Sequence, residues 1–184
     1  EILRCLVGSE MCIRDRHMTV NTVLFLETKS VLIALKDSGA RIGIISTKFR
    51  YRIKELLDQH FPEDFLDIII GGEDVKTPKP SPEGLLLAIK QLHVTKAETL
   101  YIGDSTVDAE TAQKAGVDFA GITHGMTTAE ELQRYPHKKI MDSLEELLKQ
   151  EPLPAKAPKN SNVRQIIFLL ALSAALAALF YFLT

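Results

Sequence analysis

The apolar positions of this chain fall into two alternating kinds of run. Short, mainly apolar blocks of strand formers recur at Arg41–Ser46 (Ile42, Ile44, Ile45), Asp67–Ile70, Leu100–Ile102, Asp118–Thr123 and Ile140–Met141. Each is too short for a helix and almost continuously apolar, which predicts buried parallel strands, with Ile140–Met141 as a last edge strand. Between them the apolar residues return at helical spacing. Val23, Leu24, Leu26, Val31, Leu32 and Leu35 fit a helix, or a turn followed by one, closing at Gly39. Arg50–His60 carries Ile53, Leu56 and Leu57 on one side, with Pro62 as its stop. Ser81 and Pro82 are placed to cap and open a helix reaching about His93. Ser105 or Thr106 would cap a helix ending at Gly116. Thr127 or Thr128 starts another, with Glu130 and Glu131 in its first turn, and a final helix is expected over Ser143–Lys149. Strands alternating with helices over short links predict an α/β fold, a Rossmann-like parallel sheet flanked by helices on both faces.

Two stretches stand outside this alternation. Ile166–Leu183 is an uncharged run of 18 residues, close to the roughly 20 that cross a bilayer. A buried core helix would read the same way, but after the Pro/Lys linker of residues 151–162 it would have no core to enter. The stretch 163–184 is therefore expected to be a single-pass C-terminal transmembrane anchor, with Tyr181 and Phe182 as interface residues. Lys156, Lys159 and Arg164 on its near side predict a globular domain on the cytoplasmic face. At the other end, Glu1–Arg16 has no clear period and makes a poor signal peptide. Cys5–Arg16 resembles the conceptual translation of a sequencing adapter, so residues 1–16 are set aside and the native domain is expected over 17–150, with sequence preceding His17 or Met18 lost.

Composition narrows the function classes. With 22 basic against 24 acidic residues, there is no electrostatic footprint for nucleic acid, and no nucleic-acid partner is expected. Cys5 and Cys12 are the only cysteines, which gives no disulfide framework and fits a reducing compartment. No His/Cys spacing suits zinc, and no Ser/His/Asp set suits acyl transfer.

The remaining chemistry gathers where strands end. Asp104 follows the Leu100–Ile102 strand and the break at Gly103, and Asp108 falls in the first turn of the next helix. Both carboxylates are expected to face the crevice at the carboxyl edge of the sheet, where open α/β sheets bind ligands. Two hard oxygen donors near helix N–H groups suit Mg²⁺ beside a phosphate. The plainer alternative is a turn aspartate and a dipole-complementing aspartate. Ser46 and Thr47 end an earlier strand, and Lys79 sits in a loop held by Pro78, Pro80 and Pro82.

In order, Ile-Gly-Ile-Ile-Ser-Thr-Lys (42–48), Lys-Thr-Pro-Lys-Pro-Ser-Pro-Glu-Gly (76–84) and Tyr-Ile-Gly-Asp-Ser-Thr-Val-Asp-Ala (101–109) resemble motifs two, three and four of the haloacid dehalogenase superfamily. The likeness covers about Val23–Lys149 and is nearest to the phosphoglycolate phosphatase and pyrophosphatase branch. It implies Mg²⁺-dependent hydrolysis of a small phosphorylated metabolite. In that reading Ser46 donates to a phosphoryl oxygen and Lys79 neutralises charge between nucleophile and phosphoryl group. Asp104 ligates Mg²⁺, and Asp108 supports the site by ligation, through a water, or by orienting Lys79. Thr47, Lys48 and Ser105 are further candidates for phosphate or loop contacts. Against each stands a plainer role, a helix cap for Ser46 and a solvated lysine for Lys79.

The resemblance also implies a nucleophile, the first aspartate of Asp-x-Asp-Gly-Thr, which forms an aspartyl-phosphate. This sequence has no such motif. Asp15-Arg16-His17 follows no apolar strand, and most of the helical cap that selects substrate is missing, with Met18–Lys36 as its remnant. Phe25-Leu26-Glu27-Thr28 stands where many relatives carry a Pro-Gly turn. The chain is thus expected to be the inactive C-terminal part of a phosphatase. The rival is a membrane-tethered, non-catalytic binding module. A receiver-like domain would need an acidic pair after its first strand, and dehalogenation at carbon would leave the Asp104/Asp108 pair without a purpose. Lys48, Arg50, Arg52 and Lys54 could help attract a phosphate ester, although a basic run at a helix start is more often a solvated face, and His124 reads as a surface-loop histidine.

Overall fold

The computed structural model describes residues 26–149 and 166–169. Its elements in chain order are α1 (Leu26–Asp37), β1 (Arg41–Ile45), α2 (Arg50–Leu57), β2 (Ile68–Ile70), α3 (Glu83–Gln91), β3 (Thr99–Gly103), α4 (Thr106–Ala115), β4 (Asp118–Ile122), α5 (Ala129–Leu132), β5 (Lys139–Met141) and β6 (Ile166–Leu169). Short 3₁₀ turns cover Gly72–Asp74, Lys96–Glu98 and Leu144–Leu147. The six strands form one sheet in the order β2-β1-β6-β3-β4-β5, and every pairing is parallel.

The apolar runs explain this arrangement. A central parallel strand is covered on both faces, so successive residues of β1 bury in opposite directions. Ile42 and Ile44 pack with Val31, Leu32 and Leu35 of α1 and Ile53 and Leu57 of α2, whereas Ile45 joins Leu85 and Ala88 of α3 and Ala109 and Ala112 of α4. Ile102 faces the first layer, and Tyr101 faces the second together with Phe119, its register partner on β4. Helix ends follow their signals. Ser105 caps α4 by accepting from the Asp108 N–H, and Gly116 closes it in the left-handed region at φ 68°. Thr128 forms a capping box with Glu131 at α5.

Several expectations shift. The helix after Phe49 ends at Leu57, well before Pro62, with Asp58 as its C-cap. Ser81 reaches the Glu83 N–H with Oγ at 3.3 Å, and helix α3 starts at Glu83, one residue beyond Pro82. Over Leu144–Leu147 the chain forms a 3₁₀ turn capped by Ser143, not an α-helix.

The largest correction concerns the C-terminal apolar run. Ile166–Leu169, expected to open a membrane helix, is a strand at the centre of the sheet, hydrogen-bonded to β1 on one side and β3 on the other. A fully buried parallel strand and a segment of apolar helix have the same residue pattern over a few positions, so periodicity does not separate them. Among the described residues no helix is long and apolar enough to cross a membrane. The set-aside segment 1–16, the linker 151–162 and the rest of 163–184 lie outside the described residues.

Candidate active site

The carboxyl ends of β1 and β3 and the loop before α3 supply the residues singled out by sequence. Asp104 directly follows β3 and Asp108 is the third residue of α4. Asp108 folds back across the strand end. A Cβ on Gly103 would lie 2.3 Å from Asp108 Cβ, so this close approach requires glycine at 103. The result is a carboxylate only 1 % exposed.

Both oxygens of Asp108 accept a hydrogen bond. Lys79 Nζ donates to Oδ1 at 2.8 Å, and the Ser105 hydroxyl donates to Oδ2 at 2.6 Å. Lys79 is itself largely enclosed, its side chain 12 % exposed. Its loop is fixed by Glu83, whose carboxylate accepts from the Lys76 and Thr77 N–H groups at 2.9 and 3.0 Å. Burial of a charge pair demands this kind of complementary hydrogen bonding.

Asp104 has a different environment. It is 6 % exposed, and its carboxyl is pushed up to about 6, first by burial and then by the charge of Asp108, with Lys79 acting in the opposite sense. Gly125 closes over it from the loop after β4, where an added Cβ would lie 2.7 Å from Asp104 Oδ2 and 3.0 Å from its carbonyl oxygen. Two carboxylates with one ammonium leave an excess of negative charge in a buried crevice. That donor chemistry fits a cation at Asp104. Among the described residues no three His, Cys, Asp or Glu side chains converge as a ready-made metal cluster. Mg²⁺ commonly keeps several waters and takes only one or two protein carboxylates, so a sparse donor set is compatible with it.

Ser46, Thr47 and Lys48 form a turn at the end of β1. The Ser46 N–H donates to the Ile70 carbonyl at 3.0 Å, and Ser46 Oγ accepts from the Lys48 N–H at 3.2 Å. This turn is clasped to the loop after β2. Gly72 N–H donates to the Lys48 carbonyl at 2.9 Å, and a Cβ on Gly72 would meet the Thr47 oxygen at 2.5 Å. Glu73 accepts from the Arg50 N–H, and the Arg50 guanidinium pairs with Asp74 at 2.6 Å. Arg52 pairs with Glu55 at 3.0 Å and lies over the Tyr51 ring. These two arginines are thus committed to neighbours. The structure brings together Lys79, Asp104, Ser105 and Asp108; Ser46, Thr47 and Lys48 occupy the same sheet edge on the far side of β6.

His124 is not a surface histidine. Its side chain is 14 % exposed, with Nε2 2.8 Å from the Asp142 carbonyl and 3.8 Å from Glu27. Gly125 and Tyr101, the latter with a fully buried hydroxyl, escaped the sequence reading. A glycine beside His124 and a tyrosine in an otherwise apolar strand were the available signals.

A family model described as haloacid dehalogenase-like hydrolase matches residues 12–122. The phosphoglycolate phosphatase of Salmonella paratyphi A is 34% identical over 133 residues, covering 72% of this chain and 53% of that protein. A solved structure from Bacteroides fragilis, described as a haloacid dehalogenase-like hydrolase, is 58% identical with a TM-score of 0.69, covering 70% of this chain and 61% of that one. A structure from Lactobacillus delbrueckii subsp. bulgaricus, described as a phosphoglycolate phosphatase, is 26% identical with a TM-score of 0.61, covering 67% and 51%. The chain spans about half the length of the curated relatives it matches. A parallel sheet with Lys79 and two aspartates at its carboxyl edge, the match over 12–122 and these likenesses agree: the chain belongs to the haloacid dehalogenase-like hydrolase family.

Proposed function

We propose that this chain carries the phosphate- and metal-binding half of a Mg²⁺-dependent phosphatase acting on a small phosphomonoester, phosphoglycolate-like, or on pyrophosphate. The observation that supports this reading most is the buried Lys79–Asp108 pair, 2.8 Å across, beside Asp104. Asp108 spends both oxygens on Lys79 and Ser105, which suits it to orienting the ammonium, and Asp104 is the better direct ligand. Mg²⁺ bound there would offset phosphoryl charge and orient the ester. Lys79 would hold a phosphoryl oxygen and the charge that builds on it, and the Ser46 hydroxyl would donate to another.

The reaction implied by the family passes through an aspartyl-phosphate, and both aspartates of this site already have other work. A nucleophile from outside the described residues is therefore part of the proposal, and the chain alone is expected to be inactive. The same observation favours the second reading, a binding module that retains Mg²⁺ and phosphate without turnover. Titration calorimetry with Mg²⁺ and inorganic phosphate, beside a phosphatase assay, tests the site and the inactivity of the chain that both readings share. Binding lost in Asp104→Asn with no turnover fits either reading of the chain. Turnover by the chain itself, abolished by Asp104→Asn, contradicts its inactivity, and absence of binding contradicts the site.

The anchor in 163–184, the membrane as partner and a cytoplasmic domain are likewise proposals, supported by the 18-residue uncharged run and its basic flank. A span using Ile166–Leu169 would have to withdraw them from the sheet.

A further inference from the structure

Tyr101 is completely buried, yet its hydroxyl makes no hydrogen bond of ordinary geometry. Its register partner on β4, Phe119, fills the same apolar layer without a hydroxyl. Packing alone thus gives no reason for the oxygen, and a buried unpaired hydroxyl is unfavourable.

The strand geometry indicates where that oxygen belongs. Tyr101 and Gly103 lie two residues apart on β3 and so share a face, about 6.6 Å apart along the strand. Asp108 Cβ lies 2.3 Å from where a Gly103 Cβ would stand, so the Asp108 side chain occupies that same face one step beyond the tyrosine. A tyrosine leaning along its strand spans this step. Asp108 has room for it: an ionised carboxylate offers about four acceptor sites, and Lys79 and Ser105 each take one.

We propose that Tyr101 is a positioning residue, the buried third donor to Asp108, which fixes the carboxylate and through it the Lys79 ammonium. Burial first, and then the negative charge of Asp108, hold the phenol well above its ordinary range, so it remains a donor. The inference rests on the reading of Lys79 and Asp108 as parts of a phosphate site.

The test uses the full chain labelled with [¹³Cζ]tyrosine and [¹⁵Nζ]lysine. Tyr101→Phe removes one oxygen from a buried ring and identifies the Tyr101 signal. This variant is expected to unfold at an unchanged or somewhat lower midpoint, to move the Lys79 ¹⁵Nζ resonance, and to weaken inorganic phosphate binding in the presence of Mg²⁺ by roughly 3- to 10-fold. Asp108→Asn is expected to move the Tyr101 ¹³Cζ signal. An unmoved Lys79 resonance in Tyr101→Phe, with phosphate still bound as in the wild type, overturns the proposal and leaves the site reading intact. Absence of Mg²⁺ and phosphate binding in the wild type overturns the site reading instead. The Lys79 resonance in Tyr101→Phe then decides the Tyr101–Asp108–Lys79 contact by itself, even where Asp108→Asn does not fold.

Discussion

Lys79 and Asp108 form the most enclosed ion pair among the described residues, with side chains 12 % and 1 % exposed and Nζ 2.8 Å from Oδ1. Their positions are 29 residues apart in sequence, so the pair joins the proline loop to the start of α4. Removing one partner leaves the other charge largely buried without its counter-ion. Asp108→Ala is expected to lower stability by about 3 kcal/mol, the lower end for a broken buried pair because Lys79 retains a path to water. Urea unfolding of Asp108→Ala, Lys79→Ala and the double variant checks this. A double variant no more stable than the sum of the singles would show that the two residues are not coupled.

Asp104 predicts a pH dependence with opposite signs in the two states of the site. Its carboxyl is raised from 3.8 to about 6, so the fold holds that proton more tightly than the unfolded chain does. Without metal this group therefore opposes folding above pH 6, by on the order of 3 kcal/mol, and the opposition fades as pH falls toward the unfolded value. Mg²⁺ needs the ionised form, so its stabilisation is greatest above pH 6 and is lost below. Thermal unfolding of wild type and Asp104→Asn, with and without saturating Mg²⁺, isolates the effect from other carboxylates. A difference between the two proteins that does not change across pH 4–7 would contradict it.

Gly103 and Gly125 are where backbone meets carboxylate. Gly103→Ala would drive a methyl to 2.3 Å from Asp108 Cβ, and Gly125→Ala would place one 2.7 Å from Asp104 Oδ2. The first is expected to destabilise by about 2 kcal/mol through overpacking of a buried site. The second makes the less severe approach and is expected to cost less stability while reducing Mg²⁺ affinity. Calorimetric Mg²⁺ titration of a folded Gly125→Ala chain is the check, and unchanged affinity would remove Gly125 from the site.

The parallel sheet and most helix ends were legible because each rests on a local signal. The Ile42, Ile44 and Ile45 block, Ser105 before α4, Gly116 after it and Thr128 with Glu131 all act within a few residues. The pairing of Lys79 with Asp108 was legible only through the ordered motifs, since no local pattern joins residues that far apart. Tyr101 was hidden because a tyrosine in a strand reads as packing until its hydroxyl is seen unpartnered. His124 was misjudged because loop composition does not report what the Asp142 segment brings to it. Strand β6 was misread because length and apolarity dominate its signal, and pairing with β1 and β3 is a tertiary fact.

Ser105 has two tasks that a control separates. It caps α4 and donates to Asp108 Oδ2, whereas Thr128 caps α5 through Glu131 with no contact to the aspartates. Ser105→Ala and Thr128→Ala should each destabilise by about 1 kcal/mol from the lost cap. Only Ser105→Ala should also weaken phosphate binding in the presence of Mg²⁺. Equal binding by the two variants would reduce Ser105 to a cap.

The place of β6 yields the prediction that separates sheet from membrane. Phe168 pairs with Gly43 on one side and Tyr101 on the other, so this strand joins β2–β1 to β3–β4–β5. Without it, two inner edges would expose unpaired backbone groups in the middle of the domain, a costly arrangement for any sheet. Proline at 168 has no N–H to donate and is excluded from central strands. Phe168→Pro is therefore expected to destabilise the domain by about 3 kcal/mol or more. Truncation after Lys149 should abolish its cooperative unfolding. A membrane helix over the same residues predicts the reverse: the domain would unfold at the wild-type midpoint in both variants, and the intact chain would stay with vesicles through an alkaline wash. Because Ile166–Leu169 cannot hydrogen-bond to β1 and β3 while lying in lipid, the unfolding midpoints and the vesicle assay must agree on which of the two places these residues occupy.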